Sequence, residues 1–452
     1  MSNANAIASS PSSPSSPSSQ PGMTPAGALQ GAGATRTRQR GVAALVVTMT
    51  LFFAMLLIAV FANRNLVFEQ RASANQYRST QAFEAAEAGL EWAQAQLNNV
   101  ARIGDDCKAS GDTTGSSFRD RYLRVATPGA GFSAAQWNNA GVSTGLQPAC
   151  VRADAGWQCA CPAAGHAPLA APAQAAPAFS VEFLPGAKSG VVRVVSRGCS
   201  SLGGACAQGS SDPNDAVARV EASFALLPGL ASAPAAALTL RGALDVGAAA
   251  LGVHNIDPAS GAVALHAGSG VQASALRVGS APGAASSTSI VSADARLAAL
   301  SPAQLFASYF GLERSSWSQQ PVVTPLTCAG NCAGPLEQAV AAAGNNALIR
   351  IAGDLEVEGP VSIGSRQQPA LIVVDGEARL RGAVTLHGML YASAVRWDGA
   401  VPSGSLVRGA LVSETTYRGD ATPDLVYDPA VLATLRQRSG MFARVSGSWR
   451  DF

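Results

Sequence analysis

The chain has 452 residues, enough for about three domains at ~150 residues each. Apolar residues make up 48%, Gly supplies 46 residues, and charged residues are only 13%, against roughly 25% in an ordinary soluble domain. That mixture argues against a Glu/Lys-rich coiled coil. A net charge of +2, with Lys108 and Lys188 the only lysines, argues against nucleic acid as the main partner, and four scattered histidines argue against a His-centred metal site.

Residues 1–34 carry no charged side chain and include a Pro-Ser-Ser repeat, a composition that cannot bury a core. Arg36, Arg38 and Arg40 follow in alternation, and no acidic residue precedes Glu69. Gly41–Ala62 is uncharged, and as a helix it would span roughly 33 Å, about one bilayer core. Thr48 and Thr50 are its polar residues, and each can bond back to its own helix. The upstream arginines would hold the N-terminus inside. Two competing readings are a secretory signal, loosely cleavable after Val60-Phe61-Ala62, and a plain single-span anchor. The helical pattern, however, continues straight past Ala62. Phe83, Ala86, Leu90, Ala93 and Leu97 recur at steps of three and four, one apolar stripe on which a globular domain would lie. A single helix of about 55 residues is expected, half in the membrane and half outside.

Arg38-Gln-Arg-Gly41, the apolar run from Val42, and Arg78-Ser-Thr-Gln-Ala-Phe-Glu-Ala-Ala-Glu-Ala-Gly-Leu90 resemble the N-terminus of PilX-type minor pilins, which are type IV pilus assembly proteins. The likeness covers about residues 36–97, and Gly447-Ser-Trp-Arg-Asp-Phe452 is similar to the chain end of longer members. The resemblance implies that prepilin peptidase cuts after Gly41, where a side chain would obstruct the enzyme. Val42 would become the N-methylated terminus, and the helix would leave the bilayer to pack with other minor pilins and the major pilin. Val46 departs from the pattern. Pilins usually carry Glu at that fifth mature position, and its absence resembles K-type pseudopilins, which sit at the tip of secretion pseudopili. The leader, residues 1–41, is also long for the family; a start at Met23 would shorten it.

All eight cysteines lie beyond the apolar segment, which fits a cytosolic N-terminus and an exported remainder in an oxidising compartment. Short separations point to disulfides Cys199–Cys206 and Cys328–Cys332, with Cys107, Cys150, Cys159 and Cys161 paired among themselves. A zinc site from Cys150, Cys159, Cys161 and His166 is the alternative. Phe179–Phe183, Val191–Val195 and Ala216–Leu227 read as antiparallel strands. After an Ala/Pro linker at 232–236, short apolar strands are punctuated by glycines, with Gly353 and Gly359, and Gly376, Gly382 and Gly388, at steps of six. This pattern suggests a parallel β-solenoid, with a β-sandwich as the other possibility. Between the two glycine-punctuated stretches, Ser301 and Pro302 can start a helix that Gly311 ends.

The expected fold class is α+β. Its parts are a leader (1–41), a transmembrane helix (42–62), an amphipathic helix (63–98) and a disulfide-containing β head (99–231). A solenoid-like domain (237–452) follows, with a helical insert at about 294–346. No GxSxG, HExxH, P-loop or Rossmann pattern is present, so neither enzyme activity nor a cofactor is expected. The leading reading is a minor pilin acting at pilus initiation or at the tip. It would sit in the inner membrane with its C-terminal domains periplasmic, and later in the pilus. A pseudopilin of type II secretion and a membrane-anchored sugar-binding or sugar-cleaving solenoid are the alternatives.

Overall fold

A computed structural model describes residues 40–452 except 113, 126–131, 140–141, 166–168, 170–174, 203–214 and 400–403. The chain divides into one unit ending at Gln70 and another comprising Arg71–Phe452. Helix α1 (Arg40–Leu97) is unbroken over 58 residues. Residues 42–70 of it are exposed throughout.

The rest of the second unit begins with α2 (Phe118–Tyr122) and two small hairpins, β1 (Leu123–Val125) with β2 (Phe132–Ala134) and β3 (Gln136–Asn139) with β4 (Val142–Gly145). The head sheet is then built from β5 (Ala149–Ala153), β6 (Gly156–Ala160), β7 (Ala178–Pro185), β8 (Val191–Cys199) and β9 (Val217–Pro228), all antiparallel. Alternation produces this sheet. Phe179, Val181 and Phe183 point into the core with Val192 and Val194, while Arg193 and Arg197 point out.

After β9 the chain changes architecture. Strands β10 (Leu238–Leu240), β11 (Leu244–Gly247) and β12 (Gly252–His254) form one turn of a parallel coil. Strands β13 (Leu265–Ala267), β14 (Val271–Ala273) and β15 (Arg277–Gly279) form the next, and β16 (Ile290–Val291) ends that side. The chain then passes through α3 (Ala295–Ala299), α4 (Pro302–Phe310) and α5 (Arg314–Ser318) to the opposite end of the stack, where β17 (Val323–Leu326) starts. Helix α6 (Ala333–Ala343) caps that end with Leu336 and Val340 buried. Strands β18 (Leu348–Ile351), β19 (Leu355–Glu358), β20 (Val361–Ile363), β21 (Ala370–Arg381), β22 (Val384–Asp398), β23 (Leu406–Ser413), β24 (Tyr417–Arg418) and β25 (Asp424–Tyr427) wind back. They finish in parallel register beside the first turn, with Leu411 opposite Leu238, Tyr417 opposite Leu244 and Leu425 opposite Val253. Three parallel ladders therefore run through the stack, and the stretch 238–291 lies at one end of a pile whose other end is 323–363.

Helix α4 begins at Ser301, whose hydroxyl accepts from the Gln304 N–H while Gln304 accepts from the Ser301 N–H, and ends at Gly311 in the left-handed region. Its Phe306 and Phe310 pack edge-on against Tyr391 of β22, at 5.3 and 5.4 Å between ring centres.

Two sequence expectations are corrected. The segment 294–346 is not wholly helical, because β17 lies within it and pairs with β18. Pro325 obscured it, yet an edge strand tolerates a residue without an N–H. The C-terminal domain does not run to residue 452 either. After α7 (Pro429–Arg438), strands β26 (Gly440–Arg444) and β27 (Arg450–Asp451) pair antiparallel with β9 and belong to the head sheet.

Candidate assembly helix and its seat on the head

From Val42 to Ala62 helix α1 carries no charge, and it is long and apolar enough to cross a membrane. Thr48 and Thr50 donate to the carbonyls of Leu45 and Val47 at 2.9 and 3.0 Å, so neither hydroxyl needs an outside partner. Val42 and Val46 are exposed with the rest of this stretch. Arg40 and Gly41 lie in the first turn of the described helix, while Arg36 and Arg38 lie outside the described residues.

The second half of α1 is different. Ala82, Ala85, Ala86, Leu90, Ala93 and Leu97 are buried, and Glu84, Glu87 and Glu91 are exposed. The contact with the head sheet is unusually close. A Cβ on Gly89 would lie 2.1 Å from the Ser196 Oγ and 2.9 Å from the Phe179 ring; a Cβ on Gly198 would lie 2.1 Å from the Ala82 carbonyl oxygen. The small residues of the Ala82–Leu90 segment are thus those that let a helix touch β8 backbone to backbone, and its glutamates are those turned to water. Burying Leu90 and Leu97 contributes about 1.5–3 kcal/mol each.

Three polar contacts fix the end of the helix. The Asn98 side chain donates to the Phe442 carbonyl at 2.9 Å and accepts from the Phe442 N–H at 2.7 Å, as a neighbouring strand would. Arg444 forms an ion pair with Glu91. Arg119 is buried and donates to the carbonyls of Leu97 (3.1 Å), Arg438 (3.0 Å) and Gly440 (2.6 Å), with its guanidinium 4.9 Å from the Phe442 ring centre. It therefore neutralises the C-terminal ends of α1 and α7 together. Burial pushes its pKa down to about 10. None of Gly198, Arg119 or Asn98 was singled out by the sequence. A lone Gly in a strand gives a weak signal of close approach, and the other two give none.

Between described residues the disulfides are Cys107–Cys161, Cys150–Cys159 and Cys328–Cys332. The expected zinc alternative is corrected accordingly, since Cys150, Cys159 and Cys161 are spent in disulfides; its fourth member, His166, lies outside the described residues. The expected partner of Cys199, Cys206, also lies outside them. Among the described residues no group of three His, Cys, Asp or Glu could hold a metal ion. Three carboxylates of the coil are engaged by arginines: Asp375 by Arg350 at 2.7 Å, Glu377 by Arg379 at 2.7 Å and Asp354 by Arg379 at 3.2 Å.

Residues 40–91 match the family model described as PilX N-terminal. No curated protein matches the chain. Among solved structures, the competence-associated pilin ComZ from Thermus thermophilus is similar at 12% identity, with 83% of this chain and 98% of that chain covered and a TM-score of 0.19. A score that low supports no statement about shared architecture. The matched residues are the apolar run and the small-residue seat described above, so over this segment the chain is similar to the PilX N-terminal family.

Proposed function

We propose that this chain is a non-enzymatic minor pilin that helps to initiate a type IV pilus or sits at its tip. In this reading 42–62 anchors it in the inner membrane with the N-terminus cytoplasmic. Prepilin peptidase cuts after Gly41, Val42 is N-methylated, and the helix then moves into the filament beside other minor pilins and the major pilin. The head rides on the small-residue stripe, and the parallel coil, which we read as a β-solenoid, is presented outside. The observation that carries this reading is the match at 40–91, which spans both the apolar run and the seat.

Val46 favours an initiating or tip position, because a terminal subunit has no subunit above it whose N-terminal amine needs a carboxylate. It also favours the second reading, a pseudopilin of type II secretion. Glu placed at 46 would add an ionisable group to an apolar helix, costing about a few kcal/mol unless paired.

Mass spectrometry of the mature N-terminus tests the proposal. Methylated Val42 is expected in cells with the peptidase and not in cells lacking it, and Gly41→Asp should leave the precursor uncut. A mature chain beginning at Asn63 would mean a cleaved secretory signal instead.

A further inference from the structure

We infer that the assembly function resides in residues 42–228 together with 440–452, and that residues 230–438 are a grafted module which this head carries. The inference rests on the minor-pilin reading above. Its starting point is where the chain leaves and re-enters the head. Pro228, the last residue of β9, lies opposite Gly440, the first of β26, and the Gly229 N–H donates to the Ser439 carbonyl at 2.9 Å. The whole coil therefore hangs from one rung of an antiparallel pair, a place that a two-residue hairpin turn would otherwise close.

The two hydrophobic cores separate at the same point. The head core draws on residues from Ala86 to Phe224 and on Phe442, and on none between. The coil core begins at Leu230 and ends at Leu435. All the residues that seat α1 belong to the head. What joins the two parts is mostly hydrogen bonding to backbone: Arg119 to the Arg438 carbonyl, Trp317 Nε1 to the Gly229 carbonyl at 2.9 Å, and Asn346 to Gly440 in both directions. Water can take over such bonds when one side is removed. The apolar crossings are fewer; Val100 and Met441 pack against the coil core.

Residues 440–452 have the opposite character. They pair with β9 along most of its length, place Phe442 in the head core 5.1 Å from Phe132, and bring Trp449 to 6.4 Å from Phe83 on α1. Loss of this short C-terminal segment should therefore harm assembly more than loss of the far longer interior one.

The test compares three chains in cells that assemble fibres: the full chain, a chain with 229–439 replaced by Asn-Gly, and a chain ending at Ser439. The readouts are cleavage at Gly41 and the ratio of each to major pilin in sheared fibres. The full chain and the internal deletion should be cut and should enter fibres at comparable ratios, while the truncated chain should be lost from them. An internal deletion that is degraded, or is stable but absent from fibres, overturns the inference, as does a truncated chain that enters normally. A second variant keeps every junction residue and disrupts the coil from within. Gly388→Val, at φ +144° with its Cβ 1.8 Å from the Ala370 carbonyl oxygen, should leave the fibre ratio unchanged, and loss of that ratio overturns the inference too. Absence of the full chain itself from fibres would instead defeat the minor-pilin reading.

Discussion

The head sheet and the parallel coil solve the same problem of covering β-strands in opposite ways. In the head, neighbours in space are mostly neighbours in sequence; the exceptions are β5, which pairs with β7 past β6, and the edge of β9, which is closed by the far end of the chain. In the coil, neighbours in space are one turn apart, and the two blocks of turns are stacked in the reverse of their sequence order. Glycines serve both, for different reasons. Gly198 in the head admits a helix from outside the sheet. Gly388 and Gly409 of the coil face each other across successive turns at φ +144° and +137°, a conformation side chains rarely adopt. One region depends on close approach and the other on corner geometry, and the two should fail separately.

The sharpest way to break this contrast is a matched pair of substitutions in the segment Arg71–Phe452. Gly198→Val forces the helix away from β8, and Gly388→Val strains a corner of the coil. Each is expected to cost at least ~3 kcal/mol in its own region. Amide hydrogen exchange should show lost protection in β7–β9 for the first and in β21–β23 for the second. If either substitution loosens both regions alike, the two cores are one cooperative unit.

The next test concerns the place where the regions meet. Arg119→Met removes one cation that serves three carbonyls and leaves them buried. The expected cost is about 2–4 kcal/mol, read as a lower midpoint in urea. Arg119→Lys should recover little, because a single ammonium lacks the planar fork that reaches α1, α7 and β26 together. Asn98→Ala should cost less, about 1–2 kcal/mol, since it frees only the Phe442 amide and carbonyl at the end of the helix. The effect should be concentrated in exchange of the β26 amides. An unchanged β26 would mean that the strand is held by β9 alone.

These sites also mark how far the sequence could be read. The long helix, its buried stripe, strands β7–β9 and the caps of α4 were legible because each rests on local periodicity or on residues three or four apart. The glycine spacing in 353–388 pointed to repeated short strands. What stayed hidden depends on contacts distant in sequence. Gly440-Met-Phe-Ala-Arg444 carries no mark of a partner more than 200 residues earlier. Pro325 disguised β17, and the reversed order of the coil blocks leaves no trace in the spacing of either block. Of helix α1, the small residues of Ala82–Leu90 were visible as a resemblance. Their physical cause appeared only once Gly198 was seen beneath them.

The smallest expected effect tests whether the coil holds its outer turn with charge. Asp294 caps α3, accepting from the N–H groups of Arg296 at 2.8 Å and Leu297 at 3.3 Å, and it lies 2.8 Å from His266 Nε2 on β13. The His266 hydrogen bond, and then those two backbone N–H groups, hold its carboxyl below the usual carboxylate range. A carboxyl depressed in the folded state stabilises the fold at every pH above its unfolded value, ~3.9. That contribution fades as pH falls from there through the lower folded value. Asp294→Asn keeps the shape and cannot titrate, so its unfolding midpoint should fall less steeply than that of the native chain below about pH 4. The change should be confined to amides of α3 and β13, with the head untouched. Identical acid slopes for the two chains would show that α3 is held by Leu297, which is buried, and not by the carboxylate.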